Sequence, residues 1–164
     1  MTAALVDEAI KKAAVAWIAV GDRPAVGLWC MPLEGSLIVV SGPGEQNAPG
    51  LAEATHASVH LRGDTGGLIV IAEATVDRIA PDSDEWTTVA PQVANKRLNA
   101  SGTADALAAR WAQAGCAVVR VTPVPDNAVS KPHLPDVSEA SPPRDTPARV
   151  EVRRPFRLHR VRKH

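Results

Sequence analysis

Apolar residues recur along the first three quarters of the chain with two periods, and each period predicts a different element. Near the N-terminus they fall on one helical face, which predicts a first helix. That face consists of Leu5, Val6, Ala9, Ile10 and Ala13. Beyond it, short apolar runs alternate with turn residues such as Gly and Asp, which is typical of strands. The predicted strands cover residues 15–20, 24–31, 36–40, 57–62, 67–79 and 116–122.

Two more helices are predicted between the fifth and sixth strands. The segment 81–98 begins with Asp82, Ser83 and Asp84, each of which is a capping candidate, and Pro91 is a possible kink within it. The segment 103–115 starts at a threonine and ends at a glycine, as a capped helix does. The resulting order is helix, five strands, two helices and one strand. Tight turns between the strands indicate an α+β fold, a mainly antiparallel six-stranded barrel with peripheral helices.

Composition divides the chain into three parts. The 164 residues are enough for one domain, which we assign to residues 1–125. Residues 126–148 are rich in Pro, Ser, Asp and Ala, a composition that favours a disordered linker. From Arg149 onward seven Lys or Arg residues accompany one Glu, so that a basic tail of net charge +6 follows a body of net charge −6.

Several classes of protein are disfavoured by the sequence. No apolar window is long enough to span a bilayer, and the charged N-terminus is unlike a signal peptide, so we expect a cytoplasmic protein without membrane contact. Cys30 and Cys116 lie far apart in apolar runs, which indicates reduced, buried thiols. His56 and His60 supply too few ligands for a metal site, and we expect none. Motifs for covalent hydrolysis and nucleotide hydrolysis are absent from the sequence.

Three stretches carry a resemblance to a known family. They are "AVAWIAVGDRPAVGLWCMPLEGSLIVVS", "SGPGEQNAPGLAEATHASVHLR" and "LIVIAEATVDRI" with the helices that follow. Over residues 4–124 the chain resembles the flavin-binding split barrels related to pyridoxamine 5′-phosphate oxidase, including their actinobacterial relatives that use the deazaflavin F420. The resemblance implies a homodimer that holds FMN or F420 in a groove between two barrels. It also implies electron or hydride transfer to a small organic acceptor.

The same resemblance implies residues that contact the cofactor. In the family, the third strand ends on a hydroxyl residue, and the loop beyond it carries a cation that neutralises the phosphate. Ser41 matches the hydroxyl position, whereas the cationic position falls near Glu45 or Gln46. Gln46 can donate hydrogen bonds but brings no charge. Compensating charge is expected either from Arg62 or from the pair Lys96 and Arg97, although cations at a helix end also suit the helix dipole.

Two questions stay open at the level of the sequence. Trp29 is a candidate wall for a flavin ring, although core packing is the favoured explanation of a strand tryptophan. Since the cofactor carries the redox chemistry, no catalytic residue can be assigned. The alternative is a cofactor-free split barrel that acts as a binding or interaction protein. In that case the basic tail, residues 149–164, is a candidate contact for nucleic acid or for an acidic protein, or it is a solubilising terminus.

Overall fold

A computed structural model of the protein describes residues 2–140 and Pro147. The basic tail and most of the second half of the predicted linker lie outside these residues. The three helices are α1 Thr2–Lys12, α2 Asp84–Lys96 and α3 Ala104–Ala114. The eight strands are β1 Val15–Ala19, β2 Val26–Trp29, β3 Met31–Leu33, β4 Ser36–Ser41, β5 His56–Arg62, β6 Leu68–Ile79, β7 Ala117–Pro123 and β8 Val129–Ser130. Within the described residues, no helix has the length and apolar character that crossing a membrane requires.

All strands belong to one antiparallel sheet in the order β2-β1-β5-β6-β7-β4-β3, and β8 pairs with β6. The two ends of this order, β2 and β3, are separated in the chain by Cys30 alone. The sheet must therefore curl until its ends approach each other, which gives a nearly closed barrel. The α+β fold and the antiparallel barrel predicted from the sequence are confirmed.

The strand count differs from the six expected. The predicted strand 24–31 is divided at Cys30, whose N–H donates to the Ala14 carbonyl at 3.1 Å. The last pair of the β1–β2 ladder is Val15 with Trp29, and the Cys30 bond lies one step beyond it. The chain therefore leaves its pairing with β1 at Cys30. The extra strand β8 has only two residues, too few to produce an alternating pattern. It lies in the segment expected to be a linker, whose boundaries stay a prediction.

The helix ends follow the local rules that predicted them. The Ser83 hydroxyl accepts a hydrogen bond from the Trp86 N–H at 3.1 Å, which caps α2. Thr103 caps α3 in the same way, through the Ala106 N–H at 3.2 Å. Gly115 ends α3 with φ +71°, a left-handed conformation that glycine adopts without strain. Pro91 lies inside α2, which continues past it.

The core has two parts, and β4 separates them. One set of buried side chains, including Leu37 and Val39, fills the barrel interior. The other set, including Ile38 and Val40, lies beneath α2 and α3 on the outer side. All six residues of β4 are therefore buried, because both of its faces are covered. In contrast, β1 and β5 alternate between buried positions and positions that are half-buried or exposed.

Candidate functional site

The ends of β2 and β4 meet at the loop that follows β4, and Gln46 joins them. Its side-chain Oε1 accepts the Trp29 N–H at 2.7 Å, and its Nε2 donates to the Trp29 carbonyl at 2.7 Å. Nε2 also donates to the Val40 carbonyl at 3.1 Å. Gln46 thus joins the end of β2 to β4 through side-chain bonds, at a point where these two strands do not pair with each other. Because both amide hydrogens are engaged, contact with a phosphate would require one of these bonds to break.

The neighbouring residue Glu45 organises the outer side of this corner. One carboxylate oxygen accepts a hydrogen bond from Arg97 Nη2 at 2.7 Å, and the other accepts the Trp111 indole N–H at 2.9 Å. The Arg97 guanidinium in turn lies 5.5 Å from the centroid of the Trp29 ring, within cation–π range. Glu45 therefore fixes Arg97 beside the tryptophan that the sequence proposed as a ring wall.

Gly42 begins the loop after β4 and lies close to the backbone of Cys116, which follows α3. Gly42 has φ +137°, and a Cβ there would lie 2.9 Å from the Cα of Cys116. Its N–H donates to the Gln46 carbonyl at 3.1 Å, which closes a tight turn. The glycine at this position serves the fold, since no other residue could pass so near the Cys116 backbone.

The predicted site residues fall into two groups. Trp29, Ser41, Gln46 and Arg97 come together at the corner between β2, β4 and the end of α2, with Ser41 buried and bridged through its backbone to Gln46. Lys96 is exposed at the end of α2, next to Arg97 in the chain. The assignment of the six residues as cofactor contacts stays a prediction.

Arg62 is placed elsewhere, on the outer face of the β1–β5 pair. Its guanidinium lies 4.9 Å from the centroid of the Trp17 ring. It donates to the Glu139 carboxylate at 2.8 Å and to the Gly66 carbonyl at 2.9 Å. Glu139 also accepts a hydrogen bond from His60 Nδ1 of the same face. Arg62 is therefore held by the chain's own C-terminal segment, and sequence reasoning had no signal for this partner.

Burial controls the chemistry of the two cysteines. Burial raises the pKa of the Cys30 thiol to about 12. The pKa of Cys116 is also raised, first by burial and then by the negative charge of Glu45. Both are free and buried, as expected from the sequence. Raised pKa values disfavour the thiolate, so neither residue resembles a reactive nucleophile. Among the described residues no group of His, Cys, Asp and Glu could hold a metal ion.

The corner presents an aromatic ring and a partly exposed cation next to each other. Trp29 is half-buried, and the Arg97 side chain keeps 33% of its surface exposed. Only Nη2 of Arg97 is bonded within the described part of the chain, which leaves further N–H donors for a phosphate. Arg97 and Lys96 together outweigh the one carboxylate of Glu45. The corner could therefore hold an FMN or F420 phosphate on Arg97 and Lys96, with the ring against Trp29.

No protein-family model and no curated protein matches the chain. Solved structures do match its fold. A protein assigned as a pyridoxamine 5′-phosphate oxidase from Listeria innocua aligns with a TM-score of 0.53 at 11% identity, over 80% of this chain and 98% of that one. The heme storage protein HutZ from Vibrio cholerae gives a TM-score of 0.54 at 12% identity, over 76% of this chain and 91% of that one.

A third solved structure, assigned as a 5-nitroimidazole antibiotic resistance protein from Bacteroides thetaiotaomicron, aligns with a TM-score of 0.50 at 13% identity. It covers 75% of this chain and 79% of its own. At these identities the likeness shows the fold and leaves the ligand open. The resemblance to the split barrels related to pyridoxamine 5′-phosphate oxidase is thereby confirmed as a shared fold.

Proposed function

We propose that the protein is a split-barrel oxidoreductase that binds FMN or the deazaflavin F420 and transfers electrons or a hydride to a small organic acceptor. The observation that carries the proposal is the Trp29–Arg97 pair, 5.5 Å apart at a partly exposed corner of the barrel. An aromatic ring beside a cation suits a ligand that combines a flat ring with an anionic group. The fold shared with the Listeria innocua protein assigned as a pyridoxamine 5′-phosphate oxidase supports the same conclusion.

Each residue of the corner has a separate part in this proposal. Arg97 binds the phosphate while Glu45 holds the guanidinium in place, and Lys96 adds a second positive charge from the exposed end of α2. Trp29 contacts the ring. When bound, the cofactor supplies the electron or hydride transfer, so the protein needs no dedicated acid or base. Gln46 contributes indirectly, since it fixes the Trp29 backbone and hence the ring.

We also propose that the active form is a homodimer. The resemblance to the split barrels is what supports this proposal, because it implies a cofactor groove between two barrels. The outer face of β1 and β5 at Trp17 and His60 is already covered in part by Arg62 and Glu139, so the second copy would contact another part of the surface. Light scattering of the purified protein measures this directly, and a monomer at every concentration tested would contradict it.

The test of the function is cofactor binding. The protein is purified from a host that makes both cofactors, its visible absorption is recorded, and FMN and F420 are then titrated while tryptophan fluorescence is followed. Saturable binding of one cofactor is expected. Arg97→Gln should weaken that binding about tenfold or more, because a charged hydrogen bond to the phosphate is lost. Arg78→Gln, at an exposed arginine of β6, is the matched control and should bind normally.

A cofactor-free interaction protein is the second candidate, and two contacts favour it. Both amide hydrogens of Gln46 are donated to backbone carbonyls, and Glu45 already neutralises part of the charge of Arg97. Under this alternative the corner is a structural joint. A colourless protein that binds neither cofactor, with Arg97→Gln lowering only the stability, would establish it and refute the oxidoreductase proposal.

A further inference from the structure

A second candidate site lies between the β1–β2 hairpin and residues 48–51. A pocket of about 220 Å³ opens there into the barrel. Its floor consists of Ile18, Leu28 and Leu51, which belong to the barrel core and are almost fully buried. Val26 and Ala48 are among its walls. The pocket shares no lining residue with the Trp29–Arg97 corner, so the inference does not depend on the proposed function.

The size and lining of the pocket select an apolar occupant. An engineered cavity of about 150 Å³ with aliphatic and aromatic walls stays dry and binds benzene. The pocket here is larger, and every lining residue except Arg23 is apolar. Water in such a space would find few hydrogen-bond partners. An alkyl chain of several carbons would be favoured in its place, because it removes apolar surface from water.

Among the described residues, Arg23 is the one charged residue that lines the pocket, and it lies at the exposed end of it. Arg23 lines the pocket and lies close to Gly50, where a Cβ would come within 2.6 Å of Arg23 Nη1. Gly50 has φ +80°, so both its conformation and its missing side chain allow the arginine to lie there. Asp22 and Glu53 line the adjoining surface depression. Within the described residues neither forms an ion pair with Arg23, whose charge is therefore available to a ligand.

We propose that this pocket binds small aliphatic monocarboxylates. The alkyl chain lies on Leu28 and Leu51 inside the barrel, and the carboxylate pairs with the Arg23 guanidinium at the mouth. Arginine presents several N–H donors in a planar fork that matches a carboxylate. A neutral apolar molecule would bind this pocket less tightly because it cannot pair with Arg23. A short polar anion would bind less tightly because it cannot fill the apolar interior. The pocket shares no lining residue with the Trp29–Arg97 corner and is therefore a separate ligand site.

Isothermal titration of the full chain with butanoate, pentanoate, hexanoate and hexan-1-ol tests the proposal. Affinity should rise roughly fourfold for each added methylene while the pocket fills. Hexanoate should bind about tenfold more tightly than hexan-1-ol, because only the acid forms a charged hydrogen bond with Arg23. A wild-type protein that binds none of the acids, or binds hexanoate no better than the alcohol, would overturn the proposal.

Two variants separate the contribution of the Arg23 charge from that of the apolar pocket. Arg23→Gln should reduce hexanoate affinity to that of hexan-1-ol and leave the alcohol unaffected. Since Arg23 is exposed, this variant should unfold at the same temperature as the wild type. Ala48→Leu should reduce the affinity for acid and alcohol alike, because it occupies the pocket. Arg78→Gln is the control for a general loss of positive charge. Hexanoate binding that is unchanged in Arg23→Gln would refute the assigned role of the arginine.

Discussion

The Glu139 carboxylate accepts a hydrogen bond from Arg62 Nη2 at 2.8 Å, although the two residues lie 77 positions apart in the chain. Arg62 also donates to the backbone carbonyls of Val137 and Ser138 at 3.4 and 3.0 Å. Together with the pairing of β8 with β6, these bonds hold residues 129–140 on the outer face of the barrel. The segment after β7 is therefore part of the folded structure as far as Ala140.

Replacing Glu139 is expected to destabilise the protein. The two side chains keep only 12% and 7% of their surface exposed, so Glu139→Gln would leave the Arg62 charge buried without a counter-charge. We expect a loss of about 1–3 kcal/mol in the free energy of unfolding, measured by urea denaturation. Glu8→Gln is the matched control, because Glu8 pairs with Lys11 at 3.2 Å in solvent. The control should change stability by less than about 0.5 kcal/mol, and equal effects of the two variants would contradict the structure.

Local rules predicted the elements well because their causes are local. Thr103 was predicted as a cap and Ser83 was one of three candidates, since a cap bonds to an N–H only three residues away. Apolar residues alternate with polar ones along β5 and β6 because one face of each strand lies inside the barrel. This pattern is visible in the sequence of a single strand. The division at Cys30 was missed, because both halves of 24–31 are apolar and only the curvature of the whole sheet separates them.

The candidate site was predicted only in part, because its contacts join distant segments. Ser41 and Gln46 were proposed from a family pattern that is continuous in the chain, and their contact with a cofactor stays a prediction. In contrast, Glu45 meets Arg97 across 52 positions and Trp111 across 66. From the sequence, Glu45 or Gln46 falls where the family has a cation, whereas in the fold Glu45 fixes an arginine. A single sequence carries no signal for such a pair, since helix α2 has to be packed on the barrel before the two residues meet.

Gln46→Ala is expected to loosen the joint between β2 and β4. The substitution removes three hydrogen bonds and leaves the Trp29 N–H and two carbonyls without their partner. We expect the free energy of unfolding to fall by about 1–3 kcal/mol in urea denaturation. Gln92→Ala is the control, since the exposed Gln92 bonds only to the Thr88 carbonyl of its own helix. If the two variants were equally stable, Gln46 would not be the structural joint described above.

Stability should fall at alkaline pH because of Cys30. Burial raises the pKa of this thiol from 9.0 to about 12, so above pH 9 the unfolded chain loses a proton that the folded chain keeps. The stabilisation is complete below pH 9 and is lost as the pH rises towards 12. At pH 10 the loss from this group is about 1.4 kcal/mol relative to neutral pH. The chain has no tyrosine, so no phenol titrates in this window.

The measurement compares urea denaturation at pH 7.5 and pH 10 under reducing conditions, for the wild type and for Cys30→Ala. The variant should lose less stability between the two pH values, by about the amount that Cys30 contributes. A part of the decline should persist in the variant, because the pKa of Cys116 is raised as well. If wild type and variant declined equally, ionisation of Cys30 would not account for the pH dependence.

Truncation separates the folded C-terminal segment from the basic tail. A chain that ends at residue 140 keeps β8 and Glu139, and we expect its free energy of unfolding to equal that of the full chain within about 0.5 kcal/mol. A chain that ends at residue 128 loses both and should be clearly less stable. If the tail binds nucleic acid, the full chain should retard DNA at low salt and the chain ending at residue 140 should not. Retardation that survives this truncation would place nucleic-acid binding on the barrel instead of the tail.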